Sequence, residues 1–172
     1  TMNGTLPVDF RQIWNDAQEL TVHGRPVFVM SIEDMLIALC INSCRKRYFR
    51  LKAMCDIAET IAAFPALDWS RFLEKTHSYQ VAPIVYAALL AADNRLGIHI
   101  PPDLLSELKI HPMRARVVRY LCARMPLTVS LELSTGKGRQ LFQRRVSRGI
   151  LLRYATLRLP QLIRHLRFVL SL

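Results

Sequence analysis

From Ser31 to Phe64 the apolar residues return every three or four positions in two successive runs, a period that suits helices with one buried face. The first run carries Ile32, Met35, Leu36, Leu39 and Cys40, and the second Leu51, Met54, Cys55, Ala58, Ile61 and Ala62. Ser31 is placed to cap the first helix, with Asp34 at the position a capping box gives to Glu. Pro65 stops the second. Between the runs Arg45, Lys46, Arg47, Arg50 and Lys52 form a basic corner, with Asp56 as its nearby carboxylate.

The flanking segments extend the same pattern. Asp9 and Gln12 make a capping pair for a short helix, FRQIWNDAQEL, expected to bury Phe10, Ile13, Trp14 and Ala17. The β-branched and aromatic residues around His23-Gly24 predict a hairpin of Leu20–Val22 with Val27–Met30. Two strands alone are marginal, so this hairpin must lean on helices. Asp68 caps a helix carrying Trp69, Phe72 and Leu73. Pro83 opens another that ends at Gly97. Asp103–Ile110 is a short helix, and Pro112 opens a last one with Val117, Tyr120, Leu121 and Cys122 inward and Arg114, Arg116 and Arg119 outward. The fold class is mainly α, a multi-helix bundle with one small hairpin near the N-terminus. The body covers 1–125, a Pro- and Gly-containing linker 126–139, and a basic amphipathic tail 140–172, with helices near 140–155 and 159–170.

A chain of 172 residues buries roughly two thirds of its extended surface and needs no staples. The cysteines Cys40, Cys44, Cys55 and Cys122 read as reduced core residues. Arg interrupts every apolar run before the ~20 residues of a membrane span. The opening TMNGTLPVDF has neither the basic nor the apolar region of a signal peptide, and a cytoplasmic chain is expected. Charge is uneven. Residues 1–110 hold 11 Lys and Arg against 12 Asp and Glu, whereas residues 111–172 hold 13 against Glu132 alone. Such a segment meets phosphates, acidic headgroups or an acidic surface.

Catalytic motifs are missing. STGKGR at Ser134–Arg139 lacks the spacing of a phosphate loop and reads as linker. His23, His77, His99, His111 and His165 are scattered, with no metal-ligand spacing. Glu33-Asp34 lies where a helix N-terminus favours acids. Asp56 follows Lys52 by one turn, as a solvated ion pair would, or orients the basic corner around a phosphate or a neighbouring domain. In the tail, Arg144, Arg145, Arg148, Arg153, Arg164 and Arg167 interleave with Leu, Ile, Val and Phe. That pattern fits a cytoplasmic chain held peripherally at the anionic surface of the inner membrane, nucleic acid less well, or a helical face that completes the core and packs on a partner domain.

One resemblance runs through several of these elements. A helix with Trp14 leads into VHGRPVFVMSIED at Val22–Asp34, then LCINSCRK at Leu39–Lys46, RLKAMCDIA at Arg50–Ala58 and LDW at Leu67–Trp69. From about Leu6 to Met125 this order resembles the C-terminal helical part of a bacterial family of uncharacterised nucleotidyltransferases. The family pattern has His where this chain has Asn42, and a second His near Arg45 or Lys46. The resemblance implies that nucleotidyl transfer, with Mg²⁺ and a nucleoside triphosphate, belongs to an upstream domain with a Gly-Ser turn and a D-x-D pair. This chain contains no such segment, so no catalytic residue and no resident cofactor or metal is assigned to it, and it is expected to be inactive alone. Its implied role is accessory: to pack on that catalytic domain, in cis or in trans, and help hold nucleotide or acceptor through Arg45, Lys46, Arg47, Arg50 and Asp56. The competing class is a non-enzymatic binding module that uses the tail.

Overall fold

A computed structural model of the chain describes residue 8 and residues 10–45, 50–123, 151 and 155–156. Lys46, Arg47, the 126–139 linker and the six tail arginines lie outside the described residues. Among the described residues there are seven helices and one antiparallel hairpin: α1 (Phe10–Asn15), β1 (Gln18–Val22), β2 (Arg25–Val29), α2 (Ile32–Arg45), α3 (Leu51–Ala63), α4 (Trp69–Ser78), α5 (Ala82–Leu96), α6 (Leu104–Glu107) and α7 (Pro112–Ala123). The expected class, helical with a small N-terminal hairpin, holds.

The centre is α5. Every residue from Ala82 to Leu90, and on to Ala92, is buried, as befits a helix that is apolar all round. Pro83 lies in its first turn, and Gly97 ends it at φ 61°, a left-handed position where glycine carries no Cβ penalty. Helices α2 and α3 pack on each other and on α5, with α4 against α2 and α7 against α5. Leu36, Ile57, Phe72 and Leu89 are fully enclosed. Asp68 caps α4 by accepting the Arg71 amide at 3.0 Å. Residues Ala155 and Thr156 also reach this core, where Thr156 Oγ1 lies 3.9 Å from Cys44 Sγ.

Several stripes are rotated from the sequence expectation. In α3 the buried positions are Ala53, Met54, Ile57 and Ile61, while Leu51 and Ala62 face out. In α7 Val118, Leu121 and Cys122 turn inward, leaving Val117 and Tyr120 exposed beside Arg116 and Arg119. The inward stripe of α3 meets both α2 and α5, and that of α7 meets α5, so the position of these neighbours decides which of the adjacent apolar residues turns inward. α6 is a single turn rather than the eight residues expected.

The N-terminal elements differ most. The helix stops at Asn15, and β1 already begins at Gln18. Phe10 and Trp14, expected inside, are 74% and 68% exposed, with the Trp14 ring 5.7 Å from that of Phe28. The hairpin pairs Gln18 with Val29 through Val22 with Arg25, turning at His23 and Gly24. Both turn residues have positive φ, 50° and 74°, as a two-residue type I′ turn requires. Yet all ten strand residues are exposed. Among the described residues neither face of the hairpin packs extensively on the bundle.

No helix among the described residues is long and apolar enough to cross a membrane. The cysteines are free. Burial pushes the Cys40 thiol well above its usual range and the Cys122 thiol up to about 11, while Cys55 is only half-buried. A disulfide-exchange reagent titrated into the native chain is therefore expected to modify Cys55 first. Cys40, Cys44 and Cys122 should react only on the timescale of unfolding.

Candidate functional site

The inward stripe that runs from Trp69 and Phe72 of α4 to Tyr79 just past its end contains a lysine. Lys75 lies one turn after Phe72, on the inward face, and only 3% of its side chain reaches solvent. A buried ammonium needs compensation. Lys75 Nζ meets Asp34 Oδ2 at 2.5 Å, Asp16 Oδ2 at 2.6 Å and Ser31 Oγ at 3.2 Å, which uses its three donors. Asp34 is itself fully enclosed. Its Oδ1 accepts the Tyr79 hydroxyl at 2.9 Å and its Oδ2 the Ser31 hydroxyl at 2.8 Å. Arg71 Nη2 reaches the other oxygen of Asp16 at 3.0 Å. The cluster balances two cations against two carboxylates and joins the α1–β1 junction, the α2 N-terminus and α4.

Ser31 does cap α2, accepting the Asp34 amide at 3.3 Å, so capping and ion pairing coincide at Asp34. The hydrogen bond from Lys75 chiefly, helped by the positive charges of Lys75 and Arg71, holds the Asp16 carboxyl below its usual range despite partial desolvation. Sequence reasoning missed Lys75 and Asp16. The signal was available in Lys75, a cation at an inward i+3 position after Phe72.

A cleft of about 350 Å³ opens beside this cluster, lined by Val8, Phe10, Ile13, Met30, Asp34, Ile37, Ala38, Ile41, Asn42, Arg45 and Tyr79. That is within the roughly 300–1,000 Å³ of small-molecule sites. Its floor is a single face of α2, positions 34, 37, 38, 41, 42 and 45, running from the buried helix start to the exposed basic end. The opposite wall is α1 and Met30. A second hollow lies between the ends of α3 and α5, near Phe64, Trp69 and His99, and its polar groups, Glu59 and His99, are both exposed.

The basic corner is only partly assembled on this cleft. Arg45 lines its open end. Arg50, just before α3, is exposed and is not among the lining residues. Asp56 pairs with Lys52 at 2.9 Å across one turn of α3, with the lysine 85% exposed, an arrangement worth a few tenths of a kcal/mol. No group of three His, Cys, Asp or Glu among the described residues could hold a metal ion.

A family model described as an uncharacterised nucleotidyltransferase matches residues 2–97, more than half of the chain. The chain belongs to this nucleotidyltransferase family. No curated protein and no solved structure matches it. The family match takes in α1, the hairpin and α2 through α5, so every residue of the Lys75 cluster and of the cleft falls inside it. Helices α6 and α7 fall outside.

Replacing Lys75 with Met leaves Asp34 buried without its cation and should lower unfolding free energy by about 3–5 kcal/mol, measured by urea denaturation. Adding Asp34→Asn to that variant should restore part of the loss. The pH dependence has a definite sign. Because the folded state depresses the Asp16 pKa below 3.8, its contribution is complete above that value and fades as pH falls through the lower folded one. Wild type and Asp16→Asn should therefore keep a constant stability gap from pH 8 to pH 5, and the gap should close below about pH 4.

Proposed function

We propose that the chain is the C-terminal helical accessory domain of a nucleotidyltransferase. It packs on a catalytic domain, in cis or in trans, and helps hold nucleotide or acceptor substrate at the basic corner. Mg²⁺ and nucleoside triphosphate are bound by that catalytic domain. The observation that carries this reading is the exposed apolar surface inside the family-matched region. Strand alternation sets Leu20, Val22, Val27 and Val29 on one face of the hairpin, Phe28 and Trp14 meet on the other, and all six are exposed. Isolated hairpins are marginal and contiguous apolar patches of this kind mark interfaces. Arg45 and Arg50, with Lys46 and Arg47 between them in sequence, supply cations suited to phosphate oxygens.

A second reading draws on α7. Met113, Val117 and Tyr120 are exposed on one side of that helix, next to Arg116 and Arg119, and α7 carries no acid. An anionic membrane surface suits that mixture, since arginine stems lie along apolar surface while the heads stay wet.

The test is calorimetric titration of ATP, CTP, GTP and UTP with Mg²⁺ into the chain alone and into the chain with the family's catalytic domain. The accessory reading predicts weak or no binding alone and tight binding in the complex. Arg45→Glu with Arg50→Glu should weaken the latter about tenfold or more. A catalytic domain that binds nucleotide equally well without this chain would contradict it. So would salt-sensitive flotation with anionic vesicles together with no association between the two domains.

A further inference from the structure

The Lys75 cluster closes one end of the cleft and leaves the other end chemically open. At the closed end Asp34 has both oxygens engaged, by Tyr79 on one side and by Ser31 and Lys75 on the other. The local charge is neutral, so this end offers no net attraction to an ion. The middle is apolar, floored by Ile37 and Ile41 with Ala38 between them. Alanine at that point leaves room that a longer side chain would fill. At the far end stand Asn42, half-buried, and Arg45, exposed. Neither side chain has a hydrogen bond or ion pair among the described residues, and both face the same hollow.

This polarity runs in one direction along about 16 Å of α2, eleven steps of about 1.5 Å from Asp34 to Arg45. It specifies an elongated ligand with an apolar body and an anionic head. The helix backbone does not hold the head, because the C-terminus of α2 presents carbonyls and the negative end of its dipole. Arg45 must therefore supply the attraction, with the Asn42 amide as a second donor. An uncharged amphiphile would gain the apolar contacts and miss the ion pair.

We propose that this trough is a binding site for an elongated ligand with an apolar body and an anionic head, of the carboxylate or phosphate-monoester class. The apolar part lies on Ile37, Ala38 and Ile41 and the head on Arg45 and Asn42. The site stands independently of whether a catalytic domain docks on the hairpin, since none of the hairpin's strand residues lines it.

The proposal is tested on the full chain, with methyl-labelled Ile and Met, titrated with sodium octanoate, octyl phosphate and octanol. Saturable shifts of the Ile37, Ile41 and Met30 methyls are expected with one or both anions, and octanol should bind at least tenfold more weakly. The tighter of the two anions identifies the head group. Arg45→Gln, on the surface, should cost the anions about tenfold and leave octanol unchanged. Ala38→Leu, with an unchanged circular dichroism spectrum, should abolish binding of all three. The proposal is overturned if no methyl shift saturates, if octanol matches the anions, or if Arg45→Gln binds them as tightly as wild type.

Discussion

The contact on which the N-terminal third of this molecule depends is the one between Lys75 and the carboxylates of Asp16 and Asp34. The helical bundle around α5 is held by apolar burial and would close without it. Among the described residues little apolar burial holds α1 and the hairpin: Ile13 and Val8 pack at the edge of the core, while the strands are exposed throughout and make no extensive contact with the bundle helices. The polar attachment is a point: Asp16, in the turn between α1 and β1, gripped by Lys75 and Arg71 of α4. A buried ion cluster of this kind contributes little net stability compared with a well-packed apolar substitute. Its effect is to define a position, because a saturated set of donors and acceptors tolerates few alternative arrangements.

That position has a consequence for the cleft. One wall is the rigid face of α2, while the other wall, Phe10, Ile13 and Met30, belongs to the tethered segment. Remove the tether and the cleft loses a side. The same lysine that neutralises Asp34 therefore also sets the width of the hollow that Asp34 closes. In energetic terms the molecule combines a bundle held by area with a flap held by charge, and the candidate binding site lies along their seam.

The sequence made the bundle legible because it is written in periodicity: α2, α4, α5 and the Gly97 stop all follow from apolar spacing and cap chemistry. So did the hairpin, through His23-Gly24. Phe10 and Trp14 misled, since an aromatic stripe at helical spacing looks like core whether it covers this chain's interior or a partner's. The rotated stripes of α3 and α7 were invisible for a related reason: which of two adjacent apolar positions turns inward is decided by the neighbouring helix. The candidate site was half legible. Arg45 stood out as a cation in a basic corner, and Ser31 and Asp34 as a cap. Lys75 was passed over although its spacing from Phe72 put it on the inward face, and Asp16 because a single sequence does not show the fold that brings residues 16, 34 and 75 together.

The most direct measurement is amide hydrogen exchange on the full chain and on Asp16→Asn, a change that leaves the Lys75–Asp34 pair in place. If the tether organises the N-terminal segment, protection should fall across residues 10–29 while α3 and α5 exchange as in wild type. Unchanged protection in the hairpin, or a loss spread evenly through the bundle, would contradict the account.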